Sequence, residues 1–261
     1  MTPPLTPELV GTVALVVLVA GAVNGVAGFG FAVVGTMALA TALEPATAVV
    51  FMIVPVLGVN VSLASELSGR QLRRCGRRFA PLLGAALVGT VVGLALLRRV
   101  PTAPLRVGLG VVSLAFVVTV QDAVALPGVD RARKGPVADG AAAMAGIGVV
   151  SGLLFGGTNV GVQLVAYVRG FDLSHGLFVG VVAMVFLGLN AVRVVAAAAL
   201  GLYPGATVAV GSVVATIPAL AGVAVGRRLR GVVSDRLRET VVLGLLTVVG
   251  VRLVLGGLGV A

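Results

Sequence analysis

Apolar residues run along this chain in long uncharged stretches, and charged residues mark where the stretches end. The first stretch covers 35 residues between Glu8 and Glu44, and the second covers 21 residues and ends before Glu66. Later stretches contain 19, 15, 29, 20 and 33 residues, and a last apolar run extends from about Thr240 to Leu258. A membrane-spanning helix needs roughly 20 residues at about 1.5 Å per residue. The pattern therefore predicts a helical protein that crosses a membrane several times.

Two of these stretches, of 35 and 29 residues, are too long for one crossing and short for two complete ones. Each is interrupted by glycines midway, at 25–30 in the first stretch and at 152–157 in the second. Glycine weakens a helix and allows backbone conformations that other residues avoid. We expect each stretch to form a broken helix or a hairpin of two short helices.

A glycine pattern also repeats between the two halves of the chain. Gly21-x-x-x-Gly25 recurs 127 positions later as Gly148-x-x-x-Gly152, and in both halves further glycines, an apolar run, a charged turn and a long span follow. Such spacing also serves ordinary helix packing in membranes. We predict an all-α polytopic membrane protein, one integral membrane domain made of two repeats over 1–130 and 131–261. Each repeat has a glycine-broken hairpin and three further transmembrane helices, for about 8 to 10 membrane segments in all.

The composition agrees with a membrane protein, since 59% of the residues are hydrophobic, 11% are charged and the mean hydropathy is +1.16. A soluble domain has about 25% charged residues, and a disordered chain has low hydrophobicity. The net charge of +10 comes mostly from short arginine clusters beside the spans. Because the clusters contain no interleaved aromatic residues, we interpret them as an orientation signal and expect no nucleic-acid partner.

The distribution of basic residues favours an inverted arrangement of the two repeats. If each over-long stretch enters and leaves on one side, 14 basic residues fall on one face and 3 on the other; with single crossings the faces receive 8 and 9. The positive-inside rule then places the basic loops in the cytoplasm and both chain ends outside, in a prokaryotic plasma (inner) membrane. The cytoplasmic loops are 66–79, 122–139, 169–175 and 226–239.

Inverted repeats with broken helices are typical of secondary transporters, whose substrate binds where the breaks meet. A broken helix leaves backbone N–H donors and a positive dipole end, which suit an anion. All nine acidic residues lie in loops or at span ends, which disfavours a cation site within the membrane. The candidate substrate-binding residues are therefore the glycines at the breaks and the polar residues within spans: Asn24, Gly25, Gly28, Gly30, Asn60, Gly156, Gly157, Thr158, Asn159, Gln163, Asn190 and Arg193.

Arg193 is the one charged residue well inside a long span, three residues after Asn190. An arginine at mid-membrane is costly unless it is paired or hydrated, and it is a functional candidate for that reason. The alternative is that its side chain extends to the outer interface, since the span ends soon afterwards. His175, the sole histidine, is a candidate proton carrier or an interfacial residue. We predict no metal and no cofactor, and Glu44 before Pro45 is expected to cap a helix.

The stretch 24–34, NGVAGFGFAVV, and its second copy resemble the sulfite exporter TauE/SafE family of permeases, of the 4-toluene sulfonate uptake permease type. The chain departs from the family pattern at Phe31 and Ala32, where members often have further glycines, and at Thr158 and Asn159. The resemblance covers nearly the whole chain. It implies transport of sulfite, organosulfonates or related small oxyanions.

We therefore predict a secondary transporter, not an enzyme, that moves a small anion by alternating access around a central site at the two breaks. Its partners are the anion and the lipid bilayer, and a homo-oligomer is compatible with the sequence. One alternative is the membrane subunit of a multi-component importer, for which loop 66–79 is long enough to contact an ATPase. An intramembrane enzyme would need a nucleophile–base pair or metal cluster that the spans lack.

Overall fold

The computed structural model describes residues 6–260 except 28–29, 66–67, 98, 121–139, 170, 172–174, 230 and 233–234. These residues form α-helices and short connections, without a strand in the described ranges. The helices of the first half are α1 (Pro7–Ala27), α2 (Phe31–Ala42), α3 (Pro45–Phe51), α4 (Ile53–Ala64), α5 (Gly69–Arg78), α6 (Ala80–Leu97) and α7 (Thr102–Val120). Those of the second half are α8 (Ala141–Thr158), α9 (Val162–Arg169), α10 (His175–Ala199), α11 (Ala206–Val214), α12 (Thr216–Leu229) and α13 (Asp235–Gly257).

In the described ranges six segments are long and apolar enough to cross a membrane, which confirms the prediction of an all-α polytopic membrane protein. Large apolar side chains such as Leu15, Val88 and Ile217 are 62%, 63% and 70% exposed, as expected for surfaces that face lipid. The candidate spans are Pro7–Val26, Pro45–Ser62, Ala80–Leu97, Ala141–Thr158, Gly180–Ala199 and Ala206–Leu229, and shorter apolar helices cover Phe31–Ala42, Thr102–Ala115 and Leu243–Gly257.

Two of the spans are bent pairs of helices with a proline just after the bend. Pro55 follows the α3–α4 junction at Met52, and Pro218 follows the α11–α12 junction at Ala215. Proline has no N–H, so Pro55 leaves the carbonyl of Phe51 without its helical partner. The hydroxyl of Ser212 donates a hydrogen bond to that carbonyl. The bend therefore joins the first bent span to the second.

Glycines allow two pairs of helices to pack with their backbones close together. On α8, Gly152 lies against the carbonyl of Ala86 in α6, and a Cβ there would overlap the carbonyl oxygen. On α12, Gly222 lies in the same way against the carbonyl of Leu18 in α1. The small residues thus serve the helix packing that is common in membrane proteins.

The two pairs occupy equivalent places in the two halves. In each pair the first helix of one half, α1 or α8, packs against the helix that precedes the last helix of the other half, α12 or α6. On α1 and α8 the corresponding residues are 131 positions apart, with Gly152 and Gly156 in the places of Gly21 and Gly25. The glycine pattern by itself pairs the halves at 127 positions, one helical turn away. Contacts across helices therefore give a different alignment of the halves from the one that the spacing predicts.

The last helices of the two halves, α7 and α13, pack against each other in opposite directions. The hydroxyl of Ser113 donates to the carbonyl of Leu246 at 2.9 Å, while Gly257, later in α13, lies against Ala103 and Val107, earlier in α7. Equivalent helices run antiparallel when two halves are inverted and parallel when they are not. This packing agrees with the inverted repeats, which we keep as a prediction, like the boundary at 130.

Both over-long stretches contain two helices, but the second break lies later than predicted. The first break separates Ala27 from Phe31, within the predicted region. Gly156 and Gly157, predicted at the second break, instead belong to α8, which continues to Thr158. Gly25 likewise lies inside α1. The reason is that these helical glycines face another helix, so packing compensates for their low helix propensity.

At the start of α3 the predicted cap is confirmed. The carboxylate of Glu44 accepts a hydrogen bond from the backbone N–H of Thr47 at 2.9 Å and another from its hydroxyl at 3.0 Å, and Pro45 occupies the first turn. Loop 66–79, predicted as a connection, contains the short basic helix α5.

Candidate functional site

Arg193 lies in the middle of the helix packing and is 0% exposed. It belongs to the last two turns of α10, which contacts α4 and α6. A side chain that extended to the membrane surface would retain exposed atoms at its end. Of the two interpretations of this arginine, the structure agrees with burial among polar groups.

The guanidinium of Arg193 donates three hydrogen bonds to neutral oxygens. Nη1 donates to the side-chain oxygen of Asn159 and, at 3.3 Å, to that of Asn190; Nη2 donates to the carbonyl of Gly156 at 3.2 Å. The ring of Phe155 lies 4.9 Å from the guanidinium carbon. Four of the predicted site residues, Gly156, Asn159, Asn190 and Arg193, thus form one polar cluster, which we call the Arg193 cluster.

Asn159 connects this cluster to the first half of the chain. It ends α8 in the left-handed conformation, with φ 61°, which asparagine adopts more readily than most residues. Its side-chain nitrogen donates to the hydroxyl of Thr36 in α2 at 2.7 Å and to the carbonyl of Val49 in α3 at 3.0 Å. Four helices, α2 and α3 of the first half and α8 and α10 of the second, therefore meet at this amide.

Thr36 and Val49 were not among the predicted site residues. Thr36 is fully buried and is one of two threonines in α2, whose other residues are apolar, so its hydroxyl in the apolar run was a usable signal. Val49 contributes only a backbone carbonyl, which every residue has. Only the tertiary packing brings this carbonyl to Asn159, and the sequence carries no sign of it.

The electrostatics of the Arg193 cluster leave a positive charge without a carboxylate partner among the described residues. Of the five N–H groups of an arginine, three are used here. Nε is buried and has no hydrogen-bond partner in the described part of the chain. A buried donor without a partner costs about 1–3 kcal/mol, and more when it is charged. The cluster therefore retains an unsatisfied edge that suits an acceptor with negative charge.

The first break is built differently. Asn24 is 3% exposed, and its side-chain oxygen accepts a hydrogen bond from the N–H of Phe31 at 3.3 Å across the break. Its side-chain nitrogen has no hydrogen-bond partner among the residues that the structure describes. Gly30 has φ 101°, a conformation that favours glycine. Because Thr36 follows Gly30 by six residues, this break lies about 9 Å along α2 from the Arg193 cluster.

The other predicted residues make local contacts or lie outside the described part. Asn60 and Asn190 each donate to the carbonyl four residues earlier, at 2.9 and 2.8 Å. Thr158 donates to Leu154 at 2.6 Å and accepts from the N–H of Val160. Gln163 lies in α9 and His175 starts α10. The side chains of these two residues, and Gly28 altogether, are outside the described part.

A cleft of about 210 Å³ lies beside α3, next to the residue that contacts Asn159. Glu44, Thr47 and Val50 line it from α3, and Leu97 lines it from the end of α6. The loop between α10 and α11 closes the other side with Gly201, Leu202 and Pro204. Burial raises the pKa of Tyr203 in this loop above its usual value.

Comparisons with known proteins identify a family. The model of the family described as "Sulfite exporter TauE/SafE" matches residues 13–253, nearly the whole chain. No curated protein and no solved structure matches the chain. The match covers all the residues of the Arg193 cluster and both helix breaks.

Proposed function

The chain belongs to the sulfite exporter TauE/SafE family, a family of membrane transporters, and we propose that it moves a small oxyanion bound by Arg193. The proposed substrates are sulfite, an organosulfonate or a related sulfur or organic oxyanion. The observation that supports this proposal is the buried Nε of Arg193, which has no hydrogen-bond partner.

The free edge of Arg193 suits an oxyanion in geometry as well as in charge. Nε–H and the remaining N–H of Nη2 can each donate to one oxygen of a sulfonate or carboxylate, an arrangement in which arginine binds such groups at two points. The other N–H groups are held by Asn159, Asn190 and Gly156. These contacts fix the orientation of the guanidinium before an anion arrives, so little ordering is needed on binding.

Alternating access is the proposed mechanism, with the two halves moving against each other. Asn159 supports this proposal because it binds Thr36 and Val49 of the first half while it holds Arg193 of the second. An anion that competes for Arg193 alters the contacts of Asn159 and thus the contact between halves. The free amide of Asn24 and the start of α2 lie along α2 from the cluster and are proposed to line the path.

The remaining predictions belong to the same proposal. The protein acts as a secondary transporter and not as an enzyme, in a prokaryotic plasma membrane. Its basic loops face the cytoplasm and both ends of the chain lie outside. The transporter works alone or as a homo-oligomer, and His175 is proposed to carry a proton if transport is coupled to protons.

Transport by purified protein tests this function directly. In proteoliposomes with an imposed anion gradient, labelled sulfite, sulfoacetate or taurine should enter at a rate above protein-free vesicles. Arg193→Gln should lower that flux roughly 100-fold or more, since charged hydrogen bonds to the anion are lost. Arg252→Gln is the matched control, because Arg252 also lies in an apolar helix but is exposed.

Flux of a cation without flux of any of these anions contradicts the proposal. So does full anion flux by folded Arg193→Gln protein, which removes Arg193 from the site. The folded state is checked by size-exclusion chromatography and the melting temperature.

The membrane subunit of a multi-component importer is a second candidate, because α5 is a short helix with exposed arginines at the basic face. These are Arg70, Arg73, Arg77 and Arg78. An exposed helix between two membrane spans is where the membrane subunit of such an importer would contact its ATPase. Flux by the purified chain alone, with no ATPase and no ATP, rejects this candidate.

A further inference from the structure

The groups around the guanidinium of Arg193 are those of a cation-binding site. The guanidinium lies at the C-terminal end of α8, where the carbonyl of Gly156 is 3.2 Å from Nη2. The side-chain oxygens of Asn159 and Asn190 accept hydrogen bonds from Nη1. The face of the Phe155 ring completes the surroundings at 4.9 Å. Each of these groups is neutral and presents its negative side to the guanidinium.

The C-terminal end of a broken membrane helix attracts cations for a general reason. The last carbonyls of the helix have no helical partner and carry the negative end of the helix dipole. In secondary transporters, such ends and unwound carbonyls coordinate the sodium ion that is coupled to substrate. α8 ends in this way at Asn159, and two amide oxygens add to the carbonyl of Gly156.

We infer that Arg193 is a covalently attached cation in the position where a sodium-coupled carrier binds sodium, so that this transporter binds its anion without sodium. The inference rests on the proposed function for the role of Arg193 toward the anion. It adds that the oxygens around Arg193 form a latent sodium site. Removal of the guanidinium opens that site, whereas a side chain that fills the same space keeps it closed.

The arrangement has a consequence for coupling. A sodium ion that neutralises the site must bind and leave in each cycle, and its gradient then drives the substrate. Arg193 stays in place in every step, so its charge helps to bind the anion without linking it to a sodium gradient. The arginine keeps its three contacts to protein oxygens and leaves Nε for the anion.

Sodium binding to the purified protein tests the inference without any assumption about the substrate. The measurements are ²²Na⁺ binding in detergent and the melting temperature in NaCl against choline chloride at equal ionic strength. We expect no specific sodium binding by the wild type. Arg193→Ala should bind ²²Na⁺, and its melting temperature should rise by roughly 5 °C at a hundredfold excess over the dissociation constant.

Three variants serve as controls. Arg193→Met fills the space without a charge and should bind no sodium, and Arg193→Lys keeps a cation and should also bind none. Arg227→Ala removes another partly buried arginine, which donates to Ser62 at 3.4 Å, and should show no response to sodium. Arg193→Ser replaces Arg193→Ala if the alanine variant does not fold.

Specific sodium binding by the wild type overturns the inference, as does the absence of binding in folded Arg193→Ala and Arg193→Ser protein. If neither variant folds, the wild-type measurement decides: sodium-dependent flux or binding overturns the inference, and independence from sodium supports it. A failure here leaves anion flux untouched, so it is distinguishable from a failure of the proposed function.

Discussion

The two helix breaks of this protein have the same surroundings but different chemistry. Before each break, glycines bring the helix against a helix of the other half, α1 against α12 and α8 against α6. At the first break a glycine in the left-handed conformation, Gly30, precedes α2, and the side chain of Asn24 retains a free nitrogen. At the second break Asn159 takes that conformation, and both polar atoms of its side chain, the oxygen and the nitrogen, form hydrogen bonds.

The comparison indicates that both halves contain the same close packing of helices, whereas the buried positive charge is present in one of them. Arg193 and Phe155 belong to the second half, and the part of the first half that the structure describes has no buried arginine in a corresponding place. Packing needs small residues in both halves because both helix pairs approach equally closely. Anion binding needs one cation, since a second buried charge adds a further cost.

The largest effect is expected from substitutions that force the shared scaffold apart. Gly152→Val places side-chain atoms on the carbonyl of Ala86, and Gly222→Val does the same at Leu18. Because neither neighbour is a flexible side-chain end, each should cost at least about 3 kcal/mol. The yield of monodisperse protein and the melting temperature in detergent measure this loss, which should be similar for the two variants.

Gly146→Ala is the control for the glycine substitutions. Gly146 is exposed in the same helix α8 and has open space around its Cβ position. The melting temperature should be unchanged or slightly higher, because alanine favours a helix more than glycine does. A severe loss at Gly152 with none at Gly222 would show that the two helix pairs are not equivalent.

The second largest effect is expected on transport, and it should differ between substitutions at the two breaks. Asn159→Asp places a carboxylate against Arg193 and neutralises the charge that is proposed to bind the anion. We expect flux to fall roughly 100-fold, because the carboxylate pairs with the guanidinium. The melting temperature should also fall, because aspartate cannot donate the hydrogen bonds that Asn159 makes to Thr36 and to the carbonyl of Val49. Asn24→Asp should lower flux less, roughly 10-fold, because its carboxylate would repel an anion on the proposed path but would not neutralise Arg193. Labelled-sulfite flux and melting temperatures measure both variants.

Equal losses of flux in the two aspartate variants would contradict a site centred on Arg193. They would favour the original prediction of one site to which both breaks contribute equally. Asn159→Gly distinguishes charge from backbone effects, because glycine keeps the left-handed conformation and removes the side chain. This variant should lose stability and retain more flux than Asn159→Asp.

The smallest effect on transport is expected from single-cysteine substitutions in exposed loops. Labelling of these cysteines tests directly whether the two halves are inverted. Single cysteines at Arg99 and Gly231, both exposed, are introduced after Cys75→Ser. The inverted arrangement predicts that a membrane-impermeant maleimide labels Arg99→Cys in intact cells and labels Gly231→Cys only after permeabilisation. Labelling of both positions from one side contradicts it. Transport should remain near the wild-type level in both variants.

Features that depend on nearby residues were predicted from the sequence. The spans follow from uncharged runs, the cap at Glu44 from the residue before a proline, and the proximity of Asn190 to Arg193 from their spacing of three residues in a helix. The first break was predicted in the right place because Gly30 has a conformation that favours glycine. These signals lie within one or two turns of the chain, where spacing determines geometry.

The position of the second break and the full set of partners of Arg193 required the tertiary structure. A glycine in an apolar helix either breaks the helix or packs it, and only the helix opposite decides which. Gly156 packs against α6 and also offers its carbonyl to Arg193. The carbonyl of Val49 has no signature in the sequence at all.

By itself, the sequence determined that this is a helical membrane protein with one arginine well inside a long span, and it predicted two related halves. The pattern of charge and hydrophobicity carries this information because the bilayer excludes charge from its core. The tertiary structure decided that Arg193 is fully buried, that Asn159 joins it to the first half and that one edge of its guanidinium stays free. These facts depend on contacts between residues 34 to 123 positions apart in the sequence, and local spacing does not specify such contacts.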